Sequence, residues 1–329
     1  MIDRRAFVAI AGGALLGVTP DLRAQGKASM RRISFLSLFA RAEVEVFVSE
    51  LKPELEKLGW TEGRNIELLE VRTTEGRNDR LPVLAAELVA QRPDLILVQS
   101  VPATRALMQA TKSIPIVMVG VGSPLELGII SDYGRPGGNV TGASYLADES
   151  MVKLVQFLKD AAPRLRSVAV FVNPTNAAAA PMFEKVRSGA ASLGMQVQNV
   201  EVSSKSDFEA AFAAIRRANT ESILLPPEPL IRANRDAIAD FAKTHKLPVA
   251  VTGSSRYLPA SGLISYGPTT TQYAQIGARY VDRILRGTPP GDLPVEQPSR
   301  FELVINLQTA KALGLTIPPT LLHRAELRE

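Results

Sequence analysis

The sequence predicts an α/β protein built as two similar bodies in series, each a parallel sheet flanked by helices. Three observations carry that prediction. Short, nearly continuous apolar runs of strand length alternate with longer stretches in which apolar residues recur at i, i+3, i+4 and i+7. The alternation stops at a glycine-rich segment, "DYGRPGGNVTGASY" (132–145), and then begins again. At 329 residues the chain also exceeds the ~250 to 300 at which a single core stops growing.

In the first body the expected strands are "RRISFLSL" (31–38), "NIELLEV" (65–71), "DLILVQS" (94–100) and "IPIVMVG" (114–120). The last two are apolar almost throughout, as strands covered on both faces should be. Between the first two, Val44, Phe47, Val48, Leu51, Leu55 and Leu58 form one helical stripe, and Gly59 supplies a stop. Pro53 lies inside that stripe and is expected to kink or shorten the helix. Leu81, Leu84, Ala85 and Leu88 make the next stripe. The order βαβαβαβ implies a parallel sheet with right-handed crossovers.

The second body repeats the pattern. Met151, Leu154, Val155 and Leu158 form a helix ahead of "SVAVFVNP" (167–174), and a further helix ends at Gly194. "MQVQNVEVS" (195–203), a helix through Phe208, Phe212 and Ile215, "SILLPPEP" (222–229), another helix, "LPVAVTG" (247–253) and "GLISYGP" (262–268) follow. Tyr273, Ile276, Gly277, Tyr280, Val281, Ile284 and Leu285 give the cleanest amphipathic helix, ended by Gly287. A proline-rich crossing, "TPPGDLPVEQP", leads to a last strand, "FELVIN", and a short helix, "TAKALG".

Residues 1–24 read as an export signal instead of part of the fold. Asp3, Arg4 and Arg5 precede a 13-residue apolar run from Ala6 to Val18, and a small-residue cleavage site follows near Leu22-Arg23-Ala24. The run is too short for the ~20 residues of a spanning helix. The paired arginines fit a twin-arginine signal, with an ordinary secretory peptide as the alternative. The chain has no cysteine, which excludes disulfides and a lipid-modified cysteine tether. The mature chain is therefore expected to diffuse freely in a periplasm, without inserting into the membrane.

Composition narrows the function classes. Net charge is +5, of which residues 1–24 hold three arginines and two aspartates, leaving a mild and dispersed +4 that speaks against a nucleic-acid partner. Only His245 and His323 exist, so neither a zinc site nor a histidine-dependent triad is expected, and no metal or cofactor is implied. No G-x-S-x-G elbow and no Walker lysine occur. "GVGSPL" begins like a dinucleotide fingerprint at Gly120 and Gly122, but Leu125 stands in place of the third glycine, on the fourth strand instead of the first. No catalytic residue is named.

Open parallel sheets bind ligands outside the carboxyl ends of their strands. Those positions here carry Ser37; Ser100, Val101 and Pro102; Gly122, Ser123 and Pro124; Asn173, Thr175 and Asn176; Pro227 and Glu228; and Gly253, Ser254 and Ser255. These are hydrogen-bonding rims, several followed by helix N-termini that offer free N–H groups. Each serine or asparagine alone reads equally as a helix cap, and Glu228 equally as a solvated loop residue. Six rims in two matched bodies point to a binding cleft between them.

The segments "TKSIPIVMVGVGSPLELGIISDYGRPGGNVTGASYL" and "PSRFELVINLQTAKALGLTIPPTLL", with "GLISYG" and the stretch from Leu55 to Val98, resemble the ABC transporter substrate-binding protein family that includes tryptophan- and tyrosine-type solute receptors. The likeness runs from about residue 31 to 325, with "RPGGNVTG" and "FELVINLQTAKALGL" its most specific blocks. It implies the type I periplasmic binding protein fold, two Rossmann-like lobes joined by three crossings. Lobe 1 would be 30–145 plus 267–290, and lobe 2 would be 146–266 plus 291–329. Thr141, Gly142 and Gly267 would then serve the hinge, and Tyr266 would join the ligand contacts.

The resemblance further implies a periplasmic receptor that binds a small amino-acid-like, polar or aromatic molecule and delivers it to a permease with a cytoplasmic ATPase. One departure bears on the ligand. Ser123 stands where many relatives carry aspartate, and Val101-Pro102 where they carry a threonine-proline pair, so an amino-acid ligand does not simply carry over. Glu228 would have to supply the missing charge from the opposite lobe. The alternatives are an enzyme on the same fold that uses carboxylates, and a ligand-sensing module.

Overall fold

The computed structural model describes residues 30–145 and 147–328; the export segment read at 1–24 lies outside the described residues. The first sheet contains β1 (Arg31–Ser37), β2 (Ile66–Thr73), β3 (Leu95–Gln99), β4 (Ile116–Gly122) and β5 (Val140–Tyr145), all parallel, in the order β2-β1-β3-β4-β5. Helices α1 (Arg41–Lys57), α2 (Leu81–Ala90) and α3 (Val101–Ala110) cover it. The fifth strand corrects the sequence reading. Residues 140–145, read as the end of the glycine-rich segment with Thr141 and Gly142 serving the hinge, form a strand whose every residue is buried. Glycine composition hid it, because Gly142 is needed there by a close backbone approach instead of by mobility.

Helix α1 runs unbroken through Pro53, contrary to the expectation of a shortened helix. Its buried face of Val44, Phe47, Leu51 and Leu55 explains this. Burying each contributes ~1.5 to 3 kcal/mol, together more than the ~3 kcal/mol an interior proline costs. Gly59, at φ +89°, ends the helix as expected.

The second sheet is built from β6 (Ser167–Val172), β7 (Gln196–Glu201), β8 (Ile223–Leu225), β9 (Val249–Thr252), β10 (Ile264–Pro268), β11 (Phe301–Asn306) and β12 (Glu326–Arg328), in the order β12-β11-β10-β9-β8-β6-β7. Around it pack α4 (Ala147–Ala161), α5 (Ala179–Ser192), α6 (Phe208–Arg217), α7 (Pro229–Ala233), α8 (Arg235–Thr244), α10 (Leu307–Ala312) and α11 (Pro319–Leu322). The single helix expected after Pro229 is two, divided at Asn234.

Helix α9 (Thr270–Leu285) lies between strands of the second sheet in sequence but packs on the first. Its Ala274, Ile276, Tyr280 and Val281 belong to the core under β1, β3 and β4. Gly277 lets it approach closely: a Cβ there would stand 3.2 Å from Val119 and 3.7 Å from Leu51. This exchange explains why β11 runs antiparallel to β10. The chain leaves the second lobe at Pro268, returns at the same end, and pairs Phe301 with Pro268.

Three stretches therefore join the lobes: the step from Tyr145 to Ala147, the step from β10 into α9, and residues 286–300. The last of them is bonded to β5, which leads into the first. Thr141 donates its hydroxyl to the Leu293 carbonyl at 2.7 Å, Glu296 N–H donates to the Gly142 carbonyl at 2.9 Å, and Ser144 N–H donates to the Glu296 carbonyl at 2.9 Å. Gly267 faces Gly253 so tightly that a Cβ on it would stand 2.6 Å from the Gly253 Cα. No helix among the described residues is long and apolar enough to cross a membrane.

Candidate ligand cleft

The strand ends of the two sheets face each other across a cavity of about 110 Å³. The first lobe contributes the ends of β3, β4 and β5 and the start of α9; the second contributes the ends of β6, β8 and β9. The chain has eleven Phe, six Tyr and one Trp, and six of these eighteen line the cavity: Phe39, Phe47, Tyr145, Phe171, Tyr257 and Tyr273. That concentration makes the wall mainly apolar with a few polar groups, the usual character of a small-molecule site.

On the first lobe, Ser100 caps α3 with its hydroxyl accepting from the Ala103 N–H at 3.4 Å. Its φ of +79° is left-handed, a conformation that costs a non-glycine residue of order 1–3 kcal/mol and clusters at functional sites. Gly120, also left-handed, leaves room for the Tyr273 ring, whose Cζ would stand 3.2 Å from a Cβ. Tyr273 meets Tyr145 edge-on, with ring centroids 6.4 Å apart. Both hydroxyls are buried; that of Tyr273 has no hydrogen-bond partner among the described residues, and that of Tyr145 has only the equally buried Ser150 hydroxyl beside it, without good hydrogen-bond geometry. Burial pushes both phenols well above their ordinary range, with the charge of Arg232 working against it.

On the second lobe, of the two readings of Glu228, the solvated loop residue is excluded. Glu228 is 4% exposed and caps α7, with Oε2 accepting from the Ile231 N–H at 3.0 Å and Oε1 from Asn173 Nδ2 at 2.9 Å. The proline on either side fixes the loop, and the cap replaces water. Burial pushes this carboxyl above its usual range, opposed by the Asn173 hydrogen bond. Asn173 Oδ1 accepts from the Thr175 N–H at 3.1 Å and from its hydroxyl at 2.8 Å, so both ends of this amide are engaged, with one N–H of Nδ2 left over.

One turn beyond Glu228, Arg232 is 9% exposed. Its guanidinium lies 3.5 Å from the Tyr257 ring centroid and 5.1 Å from that of Phe39, which is on the other lobe. Gly253 permits the stack, since a Cβ would stand 2.8 Å from Tyr257 and 3.0 Å from Arg232 Nη2. Nη2 donates to the Thr252 carbonyl at 3.3 Å, whereas Nε is buried without a partner among the described residues. Glu43 of α1 reaches across: Oε1 accepts from Arg235 Nη1 at 3.1 Å, and Oε2 stands 3.8 Å from Arg232 Nη1. Arg256 meets Glu50 at 3.1 Å, and Asn78 Nδ2 donates to Thr175 Oγ1 at 3.1 Å. The lobes are thus fastened over the cavity.

Of the residues named from the sequence, Ser100, Val101, Gly122, Asn173, Asn176 and Glu228 line the cavity. Ser37 is turned into the fold, donating to Gln99 Oε1 at 3.3 Å and accepting from the Phe39 N–H at 3.1 Å. Pro102, Ser123 and Ser254 do not line it, and Thr175 acts through Asn173. Tyr266 packs between Phe157 and Phe301, with centroids 5.1 and 5.4 Å away. Sequence reasoning missed Arg232, Tyr145, Tyr273 and Tyr257. A signal existed for two of them: Arg232 sits one helical turn after Glu228, and Tyr145 closes the glycine-rich segment.

Two parallel-stranded α/β lobes enclosing a cavity at their strand ends define a two-lobe solute-binding protein. The match to known families is in agreement. The model of the family described as ABC transporter substrate binding protein matches residues 43–328, and the chain belongs to that family. This is a family of substrate-binding proteins, not of enzymes, whose members bind small molecules and work with ABC permeases. A tyrosine-binding protein from Clostridioides difficile is 25% identical over 262 residues, 79% of this chain and 74% of that one. A conserved domain protein from Vibrio cholerae O1 superposes with a TM-score of 0.84 at 27% identity, covering 91% of this chain and 100% of that one. A domain solved with L-Trp, from Streptococcus pneumonia, superposes at 0.83 with 22% identity, covering 91% and 99%, which shows the shared fold.

Proposed function

We propose that the chain is the periplasmic receptor of an ABC importer, which binds one small molecule with a flat apolar body between its lobes and hands it unchanged to a permease. The observation that carries this is the enclosed, aromatic-walled cavity, bordered by the buried Tyr145 and Tyr273 hydroxyls and Arg232 Nε and fastened by ion pairs from the opposite lobe. The lobes are taken as 30–145 plus 267–290 and 146–266 plus 291–329, with the short steps that follow β5 and β10 and the stretch 286–300 absorbing the rotation between them, while Thr141, Gly142 and Gly267 stay packed in the strands that lead into those steps. A tyrosine-binding relative supports a cargo of amino-acid size. Export through the signal at 1–24 would place the receptor where its permease can reach it.

The test is mass spectrometry of molecules released from purified protein, followed by titration of the compound found. At 100 times its Kd, cargo should stabilise the fold by ~2.7 kcal/mol, and small-angle scattering should show compaction. Conversion of the compound to a product in solution would overturn the receptor reading.

A further inference from the structure

We propose that the cargo is a planar, largely apolar carboxylate without an ammonium group, its carboxylate held by Arg232 and by the hydroxyls of Tyr145 and Tyr273. The inference rests on the cavity being the cargo site and deepens that reading.

Among the residues lining the cavity, only Arg232 and Glu228 carry charge. Their states differ. Both oxygens of Glu228 already accept hydrogen bonds from within their own lobe, as a helix cap and as the partner of Asn173. Burial also pushes this carboxyl toward its neutral form. An ammonium would have to share oxygens that already hold the α7 cap and the Asn173 amide, so Glu228 is not a group left waiting for a partner. Arg232 is in the opposite condition. Its Nε is buried and unpartnered among the described residues, and its contact with Glu43 at 3.8 Å is beyond hydrogen-bonding distance. Glu43 gives its one hydrogen-bonded oxygen to Arg235, so a single carboxylate faces two guanidinium groups.

The other buried donors of the wall agree. The Tyr273 hydroxyl and Arg232 Nε are donors without a partner among the described residues, the Tyr145 hydroxyl, with only the Ser150 hydroxyl beside it, is a third, and a carboxylate offers enough lone pairs to accept all three. Leaving such groups buried and unsatisfied is costly, whereas hydrogen bonds to a charged acceptor are the strong ones. The rings of Phe39, Phe171 and Tyr257 and the edge-on tyrosine pair give the cavity an aromatic wall suited to a flat apolar body, with the Arg232 guanidinium lying against Tyr257 and Phe39.

The test uses the full mature chain, stripped of co-purifying molecules, and calorimetry with four compounds that share one ring: 3-phenylpropanoate, its amide, phenylalanine and 2-phenylethylamine. The acid should bind tightest, with the amide about 30-fold or more weaker, since a buried charge loses its partner. Arg232→Gln should erase the preference for acid over amide and Arg232→Lys should restore part of it, a pattern that a merely structural arginine would not give. Tyr145→Phe and Tyr273→Phe should each weaken the acid by about 10-fold; they keep the rings and serve if the arginine variants fail to fold. Tighter binding of phenylalanine or the amine than of the acid, or an acid preference unchanged in these variants, overturns the inference and leaves the receptor reading intact. If none of the four binds, a carboxylate without an amine among the released molecules supports the inference, and an amine or zwitterion overturns it. No bound molecule from any source overturns both readings.

Discussion

Replacing Gly142 with alanine tests whether "RPGGNVTG" is a flexible hinge sequence or a packed strand that tolerates no side chain. Gly142 pairs with Met118 of the neighbouring β4, and its φ is +123°. A Cβ would stand 2.3 Å from the Met118 carbonyl oxygen and 2.6 Å from its nitrogen, both backbone atoms held in the sheet. The left-handed backbone costs alanine ~1 to 2 kcal/mol, and forcing two paired strands apart costs ~1 to 3 more. The sum, ~2 to 5 kcal/mol, corresponds to a fall in melting temperature on the order of 3–8 °C for a protein of this size. Gly138→Ala is the control, with φ +61° but nothing within 4 Å of its Cβ, and should lose only ~1 kcal/mol. Circular-dichroism melts of the two variants beside wild type decide it. A Gly142→Ala melt equal to that of Gly138→Ala would refute the packing argument.

Glu43→Gln removes the carboxylate that meets Arg232 and Arg235 across the cleft, so cargo affinity should fall by ~1 to 3 kcal/mol with far less change in urea stability; equal losses in both would show that the pair holds the fold and not closure. Because burial raises the Glu228 carboxyl, its contribution to stability is fully present below the ordinary value of 4.5 and is lost as pH rises through the raised value. The stability of wild type relative to Glu228→Gln should therefore decline as pH rises above the ordinary value of 4.5, and a rise in urea midpoints would contradict the sign. Lysine at both Arg4 and Arg5 should hold the precursor in the cytoplasm by immunoblot of cell fractions, and undiminished periplasmic protein would reject the twin-arginine route.

The sheets were legible because parallel strands buried on both faces leave continuous apolar runs, as in "DLILV" and "IPIVMV", and helix faces leave a 3.6-residue period. Strand β5 was not, because "VTGASY" is buried through small residues and a glycine. The reversal of β11 follows from the excursion of α9 to the other lobe, a topological fact that no local pattern encodes. At the site, the strand-end rule found the positions that depend on sheet geometry, such as Ser100 and Asn173. It missed residues placed by helices and hinges. Arg232 lies inside a five-residue helix whose cap, Glu228, reads from sequence only as a loop carboxylate between prolines.

Helix α1 joins the fold to the cleft. Val44, Leu51 and Leu55 bury in the first lobe, Phe47 reaches the cavity wall, and Glu43 and Glu50 reach arginines of the second lobe. Spacing of four and three residues sets Glu43, Phe47 and Glu50 along one face, so the side that closes is also the side that senses the cavity. With the lobes closed, three donors stay without a good hydrogen bond at a cost of ~1 to 3 kcal/mol each, whereas each partly exposed ion pair across the mouth returns ~1 kcal/mol or less. If the cavity is the cargo site, opening without cargo would return those donors to water, and a molecule that satisfies them would remove the penalty and leave the ion pairs to hold the lobes together. Closure then reports occupancy, because the groups that recognise the cargo are the ones that make an empty closed state unfavourable.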